Sequence, residues 1–258
     1  MVKAGGLQAE ERDMMMNGLS ENQIICGDCL EVMKNWPDKC VDLIVVDPPF
    51  NVGKDYGETT NDNRIDYWKW IELRFKEAYR ILRDDTRLYS FNTDKGMFEF
   101  KPILEEIGFD YVQTLIWYGP NLVGGRGRIS SDWHYMHEPI ILMRKGKRTP
   151  MISSEFSNCY SVQVHIRPQS NFKEGRFHIA EKPLSLLISI LSRTPGKIVC
   201  DFCCGVGTTC VAAKKLGRRY IGIDISPEYC RIAEERLKAV DTGVPVKEAR
   251  AGQKALFE

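Results

Sequence analysis

Strand-like apolar runs alternate with helix-like segments from residue 23 to residue 240, which predicts an α/β fold built on a doubly wound, mostly parallel sheet. Two further observations point the same way. The runs are nearly continuous in apolar, often β-branched residues, as in Val41-Asp42-Leu43-Ile44-Val45-Val46, the pattern of a strand covered on both faces. Four of them end at an aspartate: Asp28, Asp47, Asp201 and Asp224. Open parallel sheets bind ligands beyond the carboxyl ends of their strands, so one shared site is expected there.

The elements follow in order. Gln23-Ile24-Ile25-Cys26 is a short strand ending in Gly27-Asp28, and Cys29 to Trp36 a brief helix stopped by Pro37. Val41 to Val46 ends abruptly at Asp47-Pro48-Pro49-Phe50. Proline has no N–H to give a central strand, so these four residues form a stiff loop. Tyr67 to Leu82 has helical spacing, Thr86 to Phe91 reads as a strand, Met97 to Ile107 as a helix closed by Gly108, and Tyr111 to Trp117 as a strand. A helix follows Lys182-Pro183 as far as Ser192, then a strand over Lys197 to Asp201 and a glycine-bearing loop to Thr209. The next helix ends at Gly217, a residue suited to the left-handed cap. Arg219 to Asp224 is a strand, and Ser226 caps a helix with Pro227 at its first position.

Between these halves the character changes. Gly119 to Gly175 gathers Arg126 and Arg128 in a glycine-rich stretch, then Arg144, Lys145, Lys147, Arg148, Arg167, Lys173 and Arg176, with Trp133, His134, Tyr135 and His137 interleaved. Only Pro139 to Met143 in it reads as core strand. The chain therefore divides into a leader (1–20), a first half (21–118), a basic insert (119–176), a second half (177–240) and a polar, frayed tail (241–258).

Thirty-six basic against 35 acidic side chains leave a formal net charge of +1, so any polyanion must be met by local clusters rather than by the whole molecule. No apolar run is long enough to span a membrane, and the first residues lack the apolar core of a signal peptide, which predicts a cytoplasmic protein. Among nine cysteines, Cys26/Cys29 and Cys200/Cys203 have the spacing of zinc ligands. Each pair straddles a strand end already assigned to the shared site, and no metal is expected.

Two motifs carry chemistry. Asp201 to Thr209 is a strand end, a turn and a helix start in which Gly205 and Gly207 let backbone approach a ligand closely. Asp224 follows about twenty residues on, where a carboxylate can accept both ribose hydroxyls of an adenosine-type cofactor. No Gly-Lys-Ser/Thr follows the glycines, so this is no phosphate loop. Asp47-Pro48-Pro49-Phe50 suits an aromatic amine. Such a nitrogen is a poor nucleophile because its lone pair is delocalised into the ring. A carboxylate and the Pro48 carbonyl accepting its two N–H groups would draw it towards tetrahedral geometry, while Phe50 offers a flat face to an extruded base.

These motifs resemble those of a known family. Asp47-Pro48-Pro49-Phe50 resembles the catalytic tetrapeptide of the DNA amino-methyltransferases that modify adenine N6 or cytosine N4, and Asp201 to Thr209 resembles their cofactor loop. Their order is similar to that of the circularly permuted β group, and Glu181-Lys182-Pro183-Leu184 resembles that group's segment before the cofactor strand. The similarity runs from Ile24 to Leu237. It implies a Rossmann-like, S-adenosylmethionine-dependent fold that releases S-adenosylhomocysteine. It also implies a flipped base in double-stranded DNA, attacked by direct displacement. The family places Asp28 and Cys29 beside the cofactor's adenine. Asp201, Cys203, Gly205, Gly207, Thr208, Thr209 and Asp224 would lie along the cofactor. Lys182 would lie near its methionine end, or else be a surface lysine. The insert would recognise the target, with Arg126, Arg128, Arg144 and Lys145 on DNA.

Members acting on cytosine amines commonly carry serine at the position of Asp47, which favours adenine. Cytosine N4 methylation and an idle DNA-binding subunit are the alternatives. Cytosine-5 chemistry is disfavoured, since no cysteine here follows a proline. One departure stands out: the family's Asp-Pro-Phe is Asp201-Phe202-Cys203 here, so a thiol replaces or displaces the aromatic beside the cofactor. A homodimer and a restriction endonuclease partner are left open.

Overall fold

The computed structural model describes residues 19–53, 63–121, 133–152, 160–169, 176–178 and 180–255. Its elements are β1 (Gln23–Cys26), α1 (Cys29–Lys34), β2 (Val41–Val46), α2 (Tyr67–Ile81), β3 (Leu82–Phe91), α3 (Asp94–Ile107), β4 (Asp110–Tyr118), β5 (His137–Lys145), β6 (Val162–Val164), α4 (Leu184–Arg193), β7 (Ile198–Asp201), α5 (Thr208–Lys215), β8 (Arg219–Asp224), α6 (Pro227–Thr242) and α7 (Val246–Ala255). The described strands form one sheet in the order β1-β8-β7-β2-β3-β5-β4-β6. From β1 to β3 every pairing is parallel, β5 runs antiparallel between β3 and β4, and β6 lies parallel to β4.

Alternation along the strands feeds two cores. Ile44 and Val46 of β2, Ile198 and Cys200 of β7, and Ile221 and Ile223 of β8 pack with Ile71, Phe75 and Ala78 of α2 and with Phe100 and Leu104 of α3. Leu43, Val45, Val199 and Tyr220 face the other way, onto Leu186, Leu187 and Ile190 of α4 and Val211 to Ala213 of α5. Full burial of each such aliphatic side chain stabilises the fold by about 1.5–3 kcal/mol, so burial on both faces holds β2 at the centre of the sheet. The expected doubly wound, mostly parallel sheet is thus present.

The core strand expected within the insert, Pro139 to Met143, lies in β5, an interior strand of the sheet, and the insert also supplies β6. One expectation needs correction. Over residues 241–255 the chain is not a frayed tail: α6 continues to Thr242, Gly243 caps it at φ +70°, and α7 follows. That helix docks through buried Val246 and through Arg250, which reaches Glu235 at 2.6 Å.

Candidate active site

The carboxyl ends of β1, β2, β7 and β8 bring the four aspartates to one cavity of about 340 Å³. One part is walled by Gly27, Asp28, Cys203, Gly205, Asp224, His178 and Tyr229; another is walled by Asp47 to Phe50, Tyr67, Phe91 and Lys182. The cavity thus holds both predicted motifs.

The cofactor-side geometry is built from backbone. Gly205 sits at φ +51° with open space where a Cβ would project, so a ligand can lie against its main chain. Gly207 sits at φ +78° and a Cβ there would come within 2.7 Å of the Ala233 Cβ, so the turn needs glycine twice over. Asp224 accepts from the Gly205 N–H at 2.8 Å and the Ser226 N–H at 2.9 Å, which ties the loop to the end of β8. Burial raises its carboxyl above the usual range against those backbone donors. Burial also pushes Asp201 up, to about 7; the Thr209 hydroxyl and the Cys203 N–H oppose the shift, and the neighbouring Asp47 and Asp224 add to it. Thr208 begins α5, with its hydroxyl 3.0 Å from Arg236.

The replacement of Asp-Pro-Phe has a clear structural outcome. The Phe202 ring is buried, edge-on to Phe75 at 5.3 Å. Cys203 is only partly buried and its thiol is in hydrogen-bond contact with that of Cys29, which lowers the Cys29 pKa and raises that of Cys203. Asp28 is busier than expected. Its Oδ1 caps α1 by accepting from Leu30 N at 2.8 Å, and its Oδ2 pairs with Arg74 at 2.6 Å. The Arg74 guanidinium stacks 3.8 Å over Trp70.

Beside the Asp47 to Phe50 loop, Lys182 is no surface residue. Its ammonium lies 2.6 Å from Asp47 Oδ2 and 2.8 Å from Glu138 Oε1, with the rings of Phe91 and Phe50 at 5.0 and 5.5 Å. Burial pulls its pKa down, but the two carboxylates outweigh burial and leave it above the usual lysine value. Asp47 Oδ1 is buried with no hydrogen-bond partner among the described residues. Such an acceptor is costly unless a donor arrives. The Tyr67 hydroxyl donates to the Pro49 carbonyl at 2.7 Å and fixes the proline loop.

Four contributors escape sequence reasoning: Glu138, Tyr67, Arg74 and Arg236. Arg236 is buried, pairs with Glu181 at 2.7 Å and donates to the Val206 carbonyl at 2.7 Å. It thereby ties the residue before Lys182 to the cofactor loop. None of the four has a local signal, since each acts across a long stretch of chain. The expected DNA contacts fare differently. Lys145 is buried and donates to the carbonyls of Tyr79 and Leu82 at 2.7 and 2.6 Å, so its ammonium is engaged in the core rather than presented at the surface. Arg144 pairs with Asp110 at 3.3 Å at the same end of β5, away from the Asp47 cavity. Arg126 and Arg128 lie outside the described residues.

A doubly wound sheet that brings a glycine-bearing loop, the acidic residue of the next strand and an Asp-Pro-Pro-Phe loop to one cavity is the arrangement expected of a nucleoside-cofactor-dependent transferase. The comparisons narrow this class. Residues 41–235 match the N6/N4 methyltransferase family described as DNA methylase, and the chain belongs to that family. It is similar to the putative methylase YubD of Escherichia coli (30% identical, covering 85% of this chain and 91% of the relative). It is also similar to the DNA adenine methyltransferase YhdJ of the same organism (28%, 85% and 84%). Among solved structures, the M1.HpyAVI–SAM complex superposes with a TM-score of 0.67 at 25% identity, over 83% of this chain and 98% of that one. The protein is an S-adenosylmethionine-dependent DNA methyltransferase of the N6-adenine/N4-cytosine family, with DNA as its substrate.

Proposed function

We propose that the chain methylates the exocyclic N6 amine of adenine in double-stranded DNA, with Asp47 as the residue that holds the amine. The observation that carries this reading is the buried, partnerless Oδ1 of Asp47 beside the proline loop, among the described residues. A carboxylate oxygen and the Pro48 carbonyl accept the two N–H groups, leaving the nitrogen lone pair free to point at the methyl donor. S-adenosylmethionine supplies that methyl on a sulfonium, and Gly205, Asp201, Asp224 and the Asp28–Cys29 turn are the residues to hold it. As nitrogen–carbon bonding replaces carbon–sulfur bonding, positive charge arrives on the amine, and Asp47 stabilises it. The methylated amine then sheds one proton to solvent. Phe50 stacks on the flipped base. No residue becomes covalently attached, so catalysis rests on positioning and electrostatics.

Asp47 and the likeness to YhdJ support adenine over cytosine. The intact proline loop speaks against an idle DNA-binding subunit. The same reading places the enzyme in the cytoplasm, with room for a homodimer and for a restriction endonuclease of matching specificity. Random-sequence DNA methylated by the enzyme, digested to nucleosides and mapped at base resolution, is expected to contain N6-methyldeoxyadenosine at one recurring site. N4-methyldeoxycytidine instead would move the assignment to the alternative base.

A further inference from the structure

We propose that Glu138 is a positioning residue for methyl transfer: by sharing the Lys182 ammonium with Asp47, it keeps one oxygen of Asp47 free for the target amine. This rests on the reading of Asp47 given above. The juxtaposition comes from the antiparallel strand. β5 runs against β3, with Ile140 opposite Phe91, so its first residues arrive at the carboxyl end of the parallel strands where Asp47 stands. Glu138, second residue of β5, therefore meets Lys182, which precedes α4, and Asp47, which follows β2.

The donor count explains what Glu138 does. An ammonium has three N–H groups and no acceptor. Lys182 is buried, and the rings of Phe91 and Phe50 flank it. With Asp47 as its only carboxylate, the ammonium would be drawn to both of that residue's oxygens and would compete with the substrate amine for Oδ1. With Glu138 Oε1 paired to the ammonium at 2.8 Å, the ammonium is drawn to its other side while it donates to Asp47 Oδ2, and Oδ1 stays without a hydrogen-bond partner among the described residues. Charge points the same way. Two carboxylates around one ammonium sum to one net negative charge beside the nitrogen that becomes positive, whereas Asp47 and Lys182 alone sum to zero. Electrostatic stabilisation of charge that develops only in the transition state accelerates the chemical step rather than binding. A Glu138 serving only to support the fold would affect stability and both ligand affinities together.

The test is single-turnover methyl transfer on duplex DNA, with S-adenosylmethionine affinity read by calorimetry and DNA affinity by gel shift. Glu138→Gln is expected to slow methyl transfer by about tenfold or more while both affinities stay within about twofold. Glu138→Asp keeps the charge with a shorter reach and is expected to fall between the two, and it serves as the reporter should the glutamine variant fail to fold. In a Lys182→Gln background, Glu138→Gln is expected to add less than about twofold, because the residue acts through the ammonium. Normal turnover in either Glu138 variant, or a loss that simply multiplies with that of Lys182→Gln, overturns the proposal. Asp47→Ala run in parallel separates the two claims. If it too retains turnover, the reading of Asp47 fails. If it is dead while Glu138→Gln is normal, only the role of Glu138 fails.

Discussion

In the proposed cofactor site, Asp201 is the buried carboxylate whose charge S-adenosylmethionine would settle. Burial holds its pKa near 7, so the free protein carries it largely neutral in mildly acidic solution. The cofactor brings a sulfonium and an ammonium, both of which favour the ionised form. Binding should therefore release a proton, and S-adenosylmethionine affinity should rise from about pH 6 to about pH 8. Asp201→Asn should flatten that rise, and calorimetry in buffers of differing ionisation enthalpy would record the missing proton. The same shift has a stability consequence of fixed sign. A carboxyl raised in the folded state contributes stability below its unfolded pKa of 3.8 and loses it as pH rises through about 7. Denaturant titration should find Asp201→Asn gaining on the wild type as pH rises through that window. Asp224→Ala should cost about 1.5–3 kcal/mol of cofactor binding and leave DNA affinity alone; equal losses of both would argue against the ribose contact. The four strand-end aspartates are legible because apolar runs stop at them. Glu138 and Lys145 are not. A glutamate beside a histidine, and a lysine in the basic run Arg144 to Arg148, look alike whether they face water or a buried partner, and only β5's place between β3 and β4 decides.

At the scale of elements, the cofactor turn is the tightest constraint. Gly207→Ala combines a left-handed backbone with a 2.7 Å approach to Ala233 in α6, so the turn and the helix must separate. A loss of about 1–3 kcal/mol of stability is expected in urea denaturation, together with weaker cofactor binding. Gly205→Ala, which meets open space in the protein alone, should affect cofactor affinity more than stability. Helices with clear periodicity can be read from sequence almost to the residue: the spacing predicts α2 over Tyr67 to Leu82, and it spans Tyr67–Ile81. α7 is harder to read because its residues are mostly polar; among the described residues it docks through buried Val246 and the Arg250–Glu235 ion pair. β6 is equally silent, since three residues alternating around one buried glutamine make no pattern of their own.

For the whole molecule, a net charge of +1 places the burden of DNA binding on local clusters. With Lys145 in the core and Arg144 on Asp110, the glycine-rich stretch holding Arg126 and Arg128 becomes the leading candidate by sequence. Replacing both by alanine should weaken DNA binding and make its salt dependence shallower, by about 0.9 in log–log slope for each phosphate that is no longer neutralised. An unchanged slope would place the DNA surface elsewhere. The central claim is that the carboxylate of Asp47 holds the reacting amine. Its most direct test is single-turnover methyl transfer by the wild type and Asp47→Ala, with S-adenosylmethionine affinity measured on the same preparations. A fall in rate of about a hundredfold or more is expected, with cofactor affinity nearly unchanged. Turnover near the wild-type rate, or a loss explained by weaker cofactor binding alone, would contradict it.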